Sequence, residues 1–335
     1  KKLNYKKFII KKYIYKMFKF FFIFIFLTLL GYLYDRYKFK YVGDEELNKY
    51  DKMKNYLLNE DEFAGKPILW IHTKYNMNSR NWNSFSNRNS EKLNQPYIFS
   101  CIKSIIKYNS ESFHICLIDD TSFDELVPKL NIELPKLPEP IKTHIRNIAL
   151  CELLHKYGGF LLPNSTIVTK NLNDLYNEGL STSTMFSVEL LNRTNTNDVT
   201  DLFPSLKMMG CKKSSPEMKE FIDYLKVTSK NDNTNAMDFK GEAKRYLFKM
   251  SQEHKINIVN GKYFGVRNKC GKAVLLDDIM KDSFIEFDGN IKGLYIDEDE
   301  LLKRDKYSWF AKLPINELSN VNNIAAKFML IALHK

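Results

Sequence analysis

No Cys-x-x-Cys pair occurs in these 335 residues, no internal repeat is visible, and beyond residue 40 almost no net charge remains. Each absence removes a class of protein. The five cysteines (Cys101, Cys116, Cys151, Cys211, Cys270) are odd in number and lack paired motif spacing. The first three lie in apolar runs, which predicts packed thiols, with one disulfide open to the chain if its body is lumenal. Residues 1–40 hold ten Lys and one Arg against one Asp, nearly all of the net +11. The other 295 residues hold 40 basic and 39 acidic side chains, about +1. That body lacks the basic face that counterion-release binding needs, so nucleic acid is excluded as a partner. A 44% apolar content excludes wholesale disorder.

What is present begins with a lysine-rich tail, residues 1–19, followed by "FFFIFIFLTLLGYLY", residues 20–34, with no charge. Fifteen helical residues span about 22 Å, short of a ~30 Å hydrocarbon core. Met17 and Phe18 extend the run, Lys19 can snorkel, and thin bilayers suit short spans. No small-x-small cleavage site follows, which favours a signal anchor over a cleaved signal peptide. The lysine excess then puts the N-terminus in the cytoplasm and the body across the membrane, as a single-pass type II protein with a lumenal (ER/Golgi-like) or extracytoplasmic body. Residues 35–62 read as a charged stem and 63–335 as one domain. Two Asn-x-Thr triplets, at Asn164 and Asn192, are common by chance in an Asn-rich chain.

Within the domain, "KPILWIH" (66–72) and "FHICLIDD" (113–120) predict buried strands. "QPYIFSCIKSIIKY" (95–108) has Pro at its start and helical spacing, and the Asn-rich stretch 76–89 reads as loop. In "EPIKTHIRNIALCELLHKYGG" (139–159), Ile141, Ile145, Ile148, Leu153, Leu154 and Tyr157 share a helical face, and glycine supplies a left-handed cap. "FLL" (160–162) is a third strand. Further strands are expected in "TMFSVELL" and "SLKMMG", and helices in "SPEMKEFIDYLKV", "AMDFKGEAKRYLFKM" and the terminal "NNIAAKFMLIALHK". This order predicts an α/β fold, a mostly parallel sheet flanked by helices, with ligands beyond the carboxyl ends of the strands. His72–Thr73, Asp119–Asp120 and Pro163–Ser165 all fall at those ends.

The run 142–175, "KTHIRNIALCELLHKYGGFLLPNSTIVTKNLNDL", resembles DxD-type glycosyltransferases of the GT-A fold. It is similar to bacterial capsular polysaccharide synthesis enzymes and to the initiating α-1,6-mannosyltransferases of the fungal Golgi. Tyr157-Gly158-Gly159, the apolar strand after it and the Leu172–Leu175 spacing carry the likeness, with "ILWIH", "QPYIFSCIKSI" and "FHICLIDD" upstream. The resemblance covers roughly residues 66–175. It implies a GT-A-like domain, a nucleotide-sugar donor and a glycan or glycoprotein acceptor. It draws His72, Thr73, Asp119, Asp120, Asn147, Gly158, Gly159, Asn164 and Ser165 into the donor site.

The departures fall on the chemistry. The family's helix Asp and Arg align with Asn147 and Leu150, while Arg146 would point about 100° away. Its two strand-end carboxylates, which hold a divalent ion against the diphosphate, align with Pro163 and Ser165. A hard cation needs charged oxygen ligands there, so Mn²⁺ is not expected. The Asn164 amide and Ser165 hydroxyl remain as hydrogen-bonding groups. Asp119 and Asp120 are the weak metal candidates. Asp297-Glu298-Asp299 spells a formal DxD but reads as the first turn of a helix, and Asp277–Asp278 is similar. Lys142, Arg146 and Lys170, with His144 and His72, are the cations a metal-free route could use, although solvated charge or structural histidine is the plainer role. Three readings stay open: a membrane-anchored transferase with an altered or metal-independent site, a catalytically inactive relative that binds or assembles, and a membrane-tethered structural protein. Donor sugar, acceptor, stereochemistry and oligomeric state are not legible.

Overall fold

The computed structural model describes residues 65–73, 95–128, 134–192, 201–229, 236–313 and 315–333, all within one compact unit, Lys54–Lys335. The tail, anchor, stem and Asn-rich loop of the sequence reading lie outside the described residues. Among the described residues, no helix is long and apolar enough to cross a membrane.

Among the described residues eight strands form: β1 (Ile68–His72), β2 (His114–Ile118), β3 (Gly159–Pro163), β4 (Thr166–Val168), β5 (Met185–Asn192), β6 (Asp201–Cys211), β7 (Asn257–Val259) and β8 (Gly293–Tyr295). Six build one sheet in the order β2-β1-β3-β6-β5-β7. Only β6 runs against the rest, so the sheet is mostly parallel, as expected. β4 and β8 pair separately, antiparallel, with Thr166 opposite Tyr295. The principal helices are α1 (Pro96–Asn109), α2 (Ser122–Leu126), α3 (Ile141–Tyr157), α4 (Asn173–Gly179), α5 (Pro216–Thr228), α6 (Ala236–Gln252), α7 (Leu276–Ile279), α8 (Glu298–Lys303), α9 (Asp305–Ala311) and α10 (Ile324–Leu333). The strands and helices expected beyond residue 180 are all present.

Their causes are local. β1 buries four consecutive apolar residues, Ile68 to Ile71, because helices cover both faces of a parallel sheet. α1 has Pro in its first turn and buries Ile98, Cys101, Ile102 and Ile105. The Ser215 hydroxyl caps α5 by accepting from Met218 N. Along α3 the buried set is Ile148, Ala149, Leu150, Cys151, Leu153 and Leu154, together with His144 and Arg146. Ile141 is instead 43% exposed, at the start of the helix and short of the sheet. Four of the cysteines are packed thiols and Cys270 is exposed; all five are free.

The expected left-handed cap is a different structure. Gly158 has φ 75° but ψ −170°, and Gly159 follows at φ 106°. These angles turn the chain straight from α3 into β3, and they favour glycine. The Trp70 indole donates to Gly158 O at 2.9 Å, tying β1 to this turn. A Cβ on Gly159 would come within 2.2 Å of Ile68 O, which is backbone and cannot yield cheaply. Gly159→Ala should therefore cost ~2–3 kcal/mol in denaturant unfolding of the full chain. A change within ~0.5 kcal/mol would contradict this close packing.

Candidate functional site

The carboxyl ends of β1, β2 and β3 meet at one rim. In register, His72 of β1 lies beside Ile118 of β2 and Pro163 of β3, and Thr73 N extends the ladder to Ile118 O at 2.8 Å. Adjacent parallel strands therefore deliver His72, Thr73, Asp119, Asp120 and Pro163 to the same edge.

Asp120 is the centre of that edge. Arg146 of α3 grips it bidentately, Nε to Oδ1 at 2.7 Å and a terminal nitrogen to Oδ2 at 2.6 Å, and His72 Nε2 lies 3.0 Å from Oδ1. Arg146 thus points into the rim, not out to solvent as a plain surface charge would. Asp120 draws it inward, because a largely desolvated carboxylate needs a charge partner. Burial alone would raise the Asp120 carboxyl, but Arg146 and His72 outweigh it and hold it well below the usual carboxylate range. Asp119 is spent differently. Its Oδ1 accepts from the backbone and hydroxyls of Thr121 and Ser122, at 2.6–3.0 Å, and so fixes the turn into α2. Neither of the two candidate metal ligands offers an open pair of oxygens.

The Pro163-Asn164-Ser165 turn supplies no charge, and Asn164 and Ser165 are buried instead of laid open to solvent. Gly158 and Gly159 sit at the amino end of β3, four to five residues from Pro163. That separation is roughly 13–16 Å along a strand. Grouped with the donor site by resemblance, they are packing residues far from the rim. Asn147 follows Arg146 on α3 and is half-buried. His144 Nε2 lies 2.9 Å from Leu225 O, in contact with α5, which makes it structural. Lys170 donates to Gly289 O on the surface. Asp277 meets Arg304 and Tyr307, and Asp278 accepts from Leu275 N, so this pair stabilises α7 and its contact with α9.

Lys207, the residue the sequence reading missed, belongs to this rim. The β3–β6 register pairs Phe160 with Gly210 and Leu161 with Met209. Two residues further, Lys207 comes level with Pro163. Its Nζ lies 3.2 Å from both Asp297 Oδ2 and Asp299 Oδ2, and 3.4 Å from the Tyr295 hydroxyl. The β4–β8 pairing brings those acids here, since Ile296 N donates to Ser165 O at 3.2 Å. Asp297 also caps α8, accepting from Glu300 N at 3.1 Å, so its helix-start reading and its place at the rim are both true. Burial opposes the Lys207 charge, yet Tyr295, Asp297 and Asp299 together hold it protonated well above ordinary lysine. The side chain remains 39% exposed, so solvent screens these pairs. A lysine interrupting an apolar strand was the one signal available in "SLKMMG".

Opposite, α1 and the segment after β3 run the same way: Val168 N donates to Ser104 Oγ and Leu172 N to Asn109 Oδ1, both at 2.9 Å. Tyr97 and Ser100, two turns and one turn before Ser104, therefore approach the turn and Thr166. The Tyr97, Ser100, Thr73 and Thr166 hydroxyls are buried with no hydrogen-bond partner among the described residues. Among the described residues, no group of three or more His, Cys, Asp or Glu could hold a metal ion. At the two positions where the resemblance puts the ion's carboxylates stand Pro163 and Ser165, which carry no charge.

No family model and no curated protein matches the chain. Solved structures with similar arrangements include the apo glycosyltransferase GlyE of Streptococcus pneumoniae TIGR4, at 13% identity over 60% of this chain and 46% of that one, TM-score 0.33. Apo mouse xyloside xylosyltransferase 1 is 8% identical over 70% of this chain and 98% of that one, TM-score 0.39. The PaToxG glycosyltransferase is 10% identical over 63% and 79%, TM-score 0.28. The chain spans less than half of the pneumococcal enzyme's length. With scores this low, the overlaps transfer no function to this chain.

Arg146→Met should leave the part-buried Asp120 with only His72 and cost ~2–3 kcal/mol in denaturant unfolding. The folded Asp120 value lies below the unfolded ~3.9. The pair therefore stabilises the fold above that pH, and its contribution is lost as pH falls from there toward the folded value. The variant should lack this part of the wild type's acid sensitivity; equal slopes below about pH 4 would contradict the pairing.

Proposed function

We propose that the chain is a glycosyltransferase-like protein. In this reading it takes a nucleotide-sugar donor at the strand-end rim without a divalent ion and transfers the sugar to a glycan or protein acceptor. Residues 20–34 would anchor it in a membrane, with the body lumenal or extracytoplasmic. The observation that carries the reading is the convergence of three parallel strand ends, with their polar residues, where α/β sheets bind ligands. The buried hydroxyls of Thr73, Tyr97 and Thr166, without a partner among the described residues, support it, because buried polar groups normally have partners and a polyhydroxylated ligand can supply them.

Catalysis in this reading is positioning and charge compensation by fixed groups. Arg146 and His72 hold one another through Asp120, so they orient the rim. The half-exposed cation on this edge is Lys207.

A second reading, of a binding module that kept the fold and lost the chemistry, is favoured by a different observation. Asp119, Asp120, Asp297, Glu298 and Asp299 outnumber Arg146 and Lys207 here, and an acidic rim repels a diphosphate.

Thermal melting of the full chain with UDP-, GDP- and CMP-sugars, each with and without Mn²⁺, tests binding. At about 100 times its dissociation constant, a true donor adds ~2.7 kcal/mol, and the gain should not depend on Mn²⁺. No shift with any donor would overturn both readings; a shift without sugar transfer or donor hydrolysis would leave the second.

A further inference from the structure

Helix α10, "IAAKFMLIAL", holds a single charged residue, Lys327. Ile324, Ala325, Ala326, Met329 and Ala332 are buried against the body, so an ordinary surface helix would turn polar residues outward. This one turns out Phe328, Leu330 and Ile331, with Ile331 60% exposed. A second segment extends the strip. Asp282 accepts from Lys327 Nζ at 3.0 Å and from Asn322 Nδ2, and Phe287 packs edge-on against Phe328 with ring centroids 5.6 Å apart. Between those two fixed points stands Phe284, 90% exposed, the most exposed large apolar side chain among the described residues.

The place of the strip in the fold argues for what covers it. Lys107 Nζ donates to Ala332 O at 2.9 Å, so the end of α10 lies beside the end of α1. That end of α1 leads into β2, whose His114 N donates to Pro67 O at 2.9 Å, just before β1. The strip therefore runs to the amino ends of β1 and β2, where residues 1–64, with the uncharged run 20–34, join the body. Lys66, Lys103, Lys107 and Lys170 are exposed at this corner, against the exposed acids Glu111 and Asp174. Apolar side chains rimmed by lysine are the chemistry that fits an anionic headgroup boundary.

We propose that this strip, led by Phe284 and Ile331, is a lipid-contacting surface that seats the body on the bilayer. The inference rests on the reading of residues 20–34 as a membrane anchor. Residues 35–64 could reach at most ~100 Å if extended, so a tether alone leaves the body's orientation open. A second contact on a tethered body needs little affinity of its own, because the tether keeps its local concentration high. Four apolar side chains suffice for that, whereas a stable protein interface takes about 20–30 residues a side. The rim, at the carboxyl ends of the same strands, then opens away from the bilayer, toward acceptors in the aqueous phase.

The full chain, reconstituted in vesicles of phosphatidylcholine and phosphatidylserine, tests this with a thiol-attached fluorophore. Cys270→Ser removes the exposed cysteine, the other four being buried. Labels are then placed by Phe284→Cys, by Ile331→Cys and, as a control on α5, by Val227→Cys, whose native side chain is 62% exposed. All three are surface positions, where substitution leaves folding intact. Brominated lipids should quench the labels at 284 and 331 at least about threefold more than the label at 227, as burial ~5–10 Å into the headgroup boundary requires. Flotation with the vesicles but equal quenching at the three positions overturns the proposal and leaves the anchor standing. An apolar emission shift at 284 without lipid quenching marks a second copy on the strip and overturns it too. A chain that does not float with the vesicles overturns the anchor reading and the proposal together.

Discussion

The bidentate contact between Arg146 and Asp120, with His72 on the same carboxylate, is the constraint on which the rim depends. It joins helix α3 to the ends of β1 and β2, and it removes the strongest carboxylate at the strand ends from service to any ligand. A buried pair of this kind costs desolvation and is tolerated only with full bonding, which the guanidinium fork provides. At the other end of α3, Gly158 and Gly159 turn the chain into β3, with Gly159 close against the backbone of Ile68 in β1.

The other half of the rim is balanced by the same logic with a looser hand. Lys207 stands among Tyr295, Asp297 and Asp299, half-open to water, where Arg146 is closed off. One cluster is largely buried with short bidentate contacts; the other is part-exposed with longer ones. Asp299 also contributes to the field that favours charged Arg146, so the two are electrically connected. A ligand at this edge meets carboxylates that already contact protein cations, Asp120 with Arg146 and Asp297 and Asp299 with Lys207. That is a different physical solution from a bare carboxylate pair waiting for metal.

Much of the architecture was legible in the sequence because its signals are local. Short apolar runs ending abruptly gave β1, β2 and β3, a proline start and helical spacing gave α1, and Tyr157-Gly158-Gly159 marked the end of α3. The missing carboxylates at Pro163 and Ser165 were legible as well. What could not be read was set by pairing across long separations. Arg146 was assigned to the outside because helical spacing alone does not reveal a buried acid 26 residues earlier. Lys207 was passed over because its place follows from the antiparallel register of β6 against β3. Asp297-Glu298-Asp299 reads as the first turn of a helix, and Asp297 is in fact its N-cap, yet the β4–β8 pairing that carries it to the rim leaves no trace in composition or spacing. Gly158 and Gly159 were grouped with the ligand site by resemblance, although the length of β3 puts them at its far end.

The central claim is that charge at this edge is supplied by the protein and not by a metal. Isothermal titration of the full chain with nucleotide-sugar donors, before and after exhaustive treatment with EDTA, tests it most directly. The account predicts saturable binding of one donor with the same dissociation constant in both conditions. Binding that disappears with EDTA and returns with Mn²⁺ would contradict it.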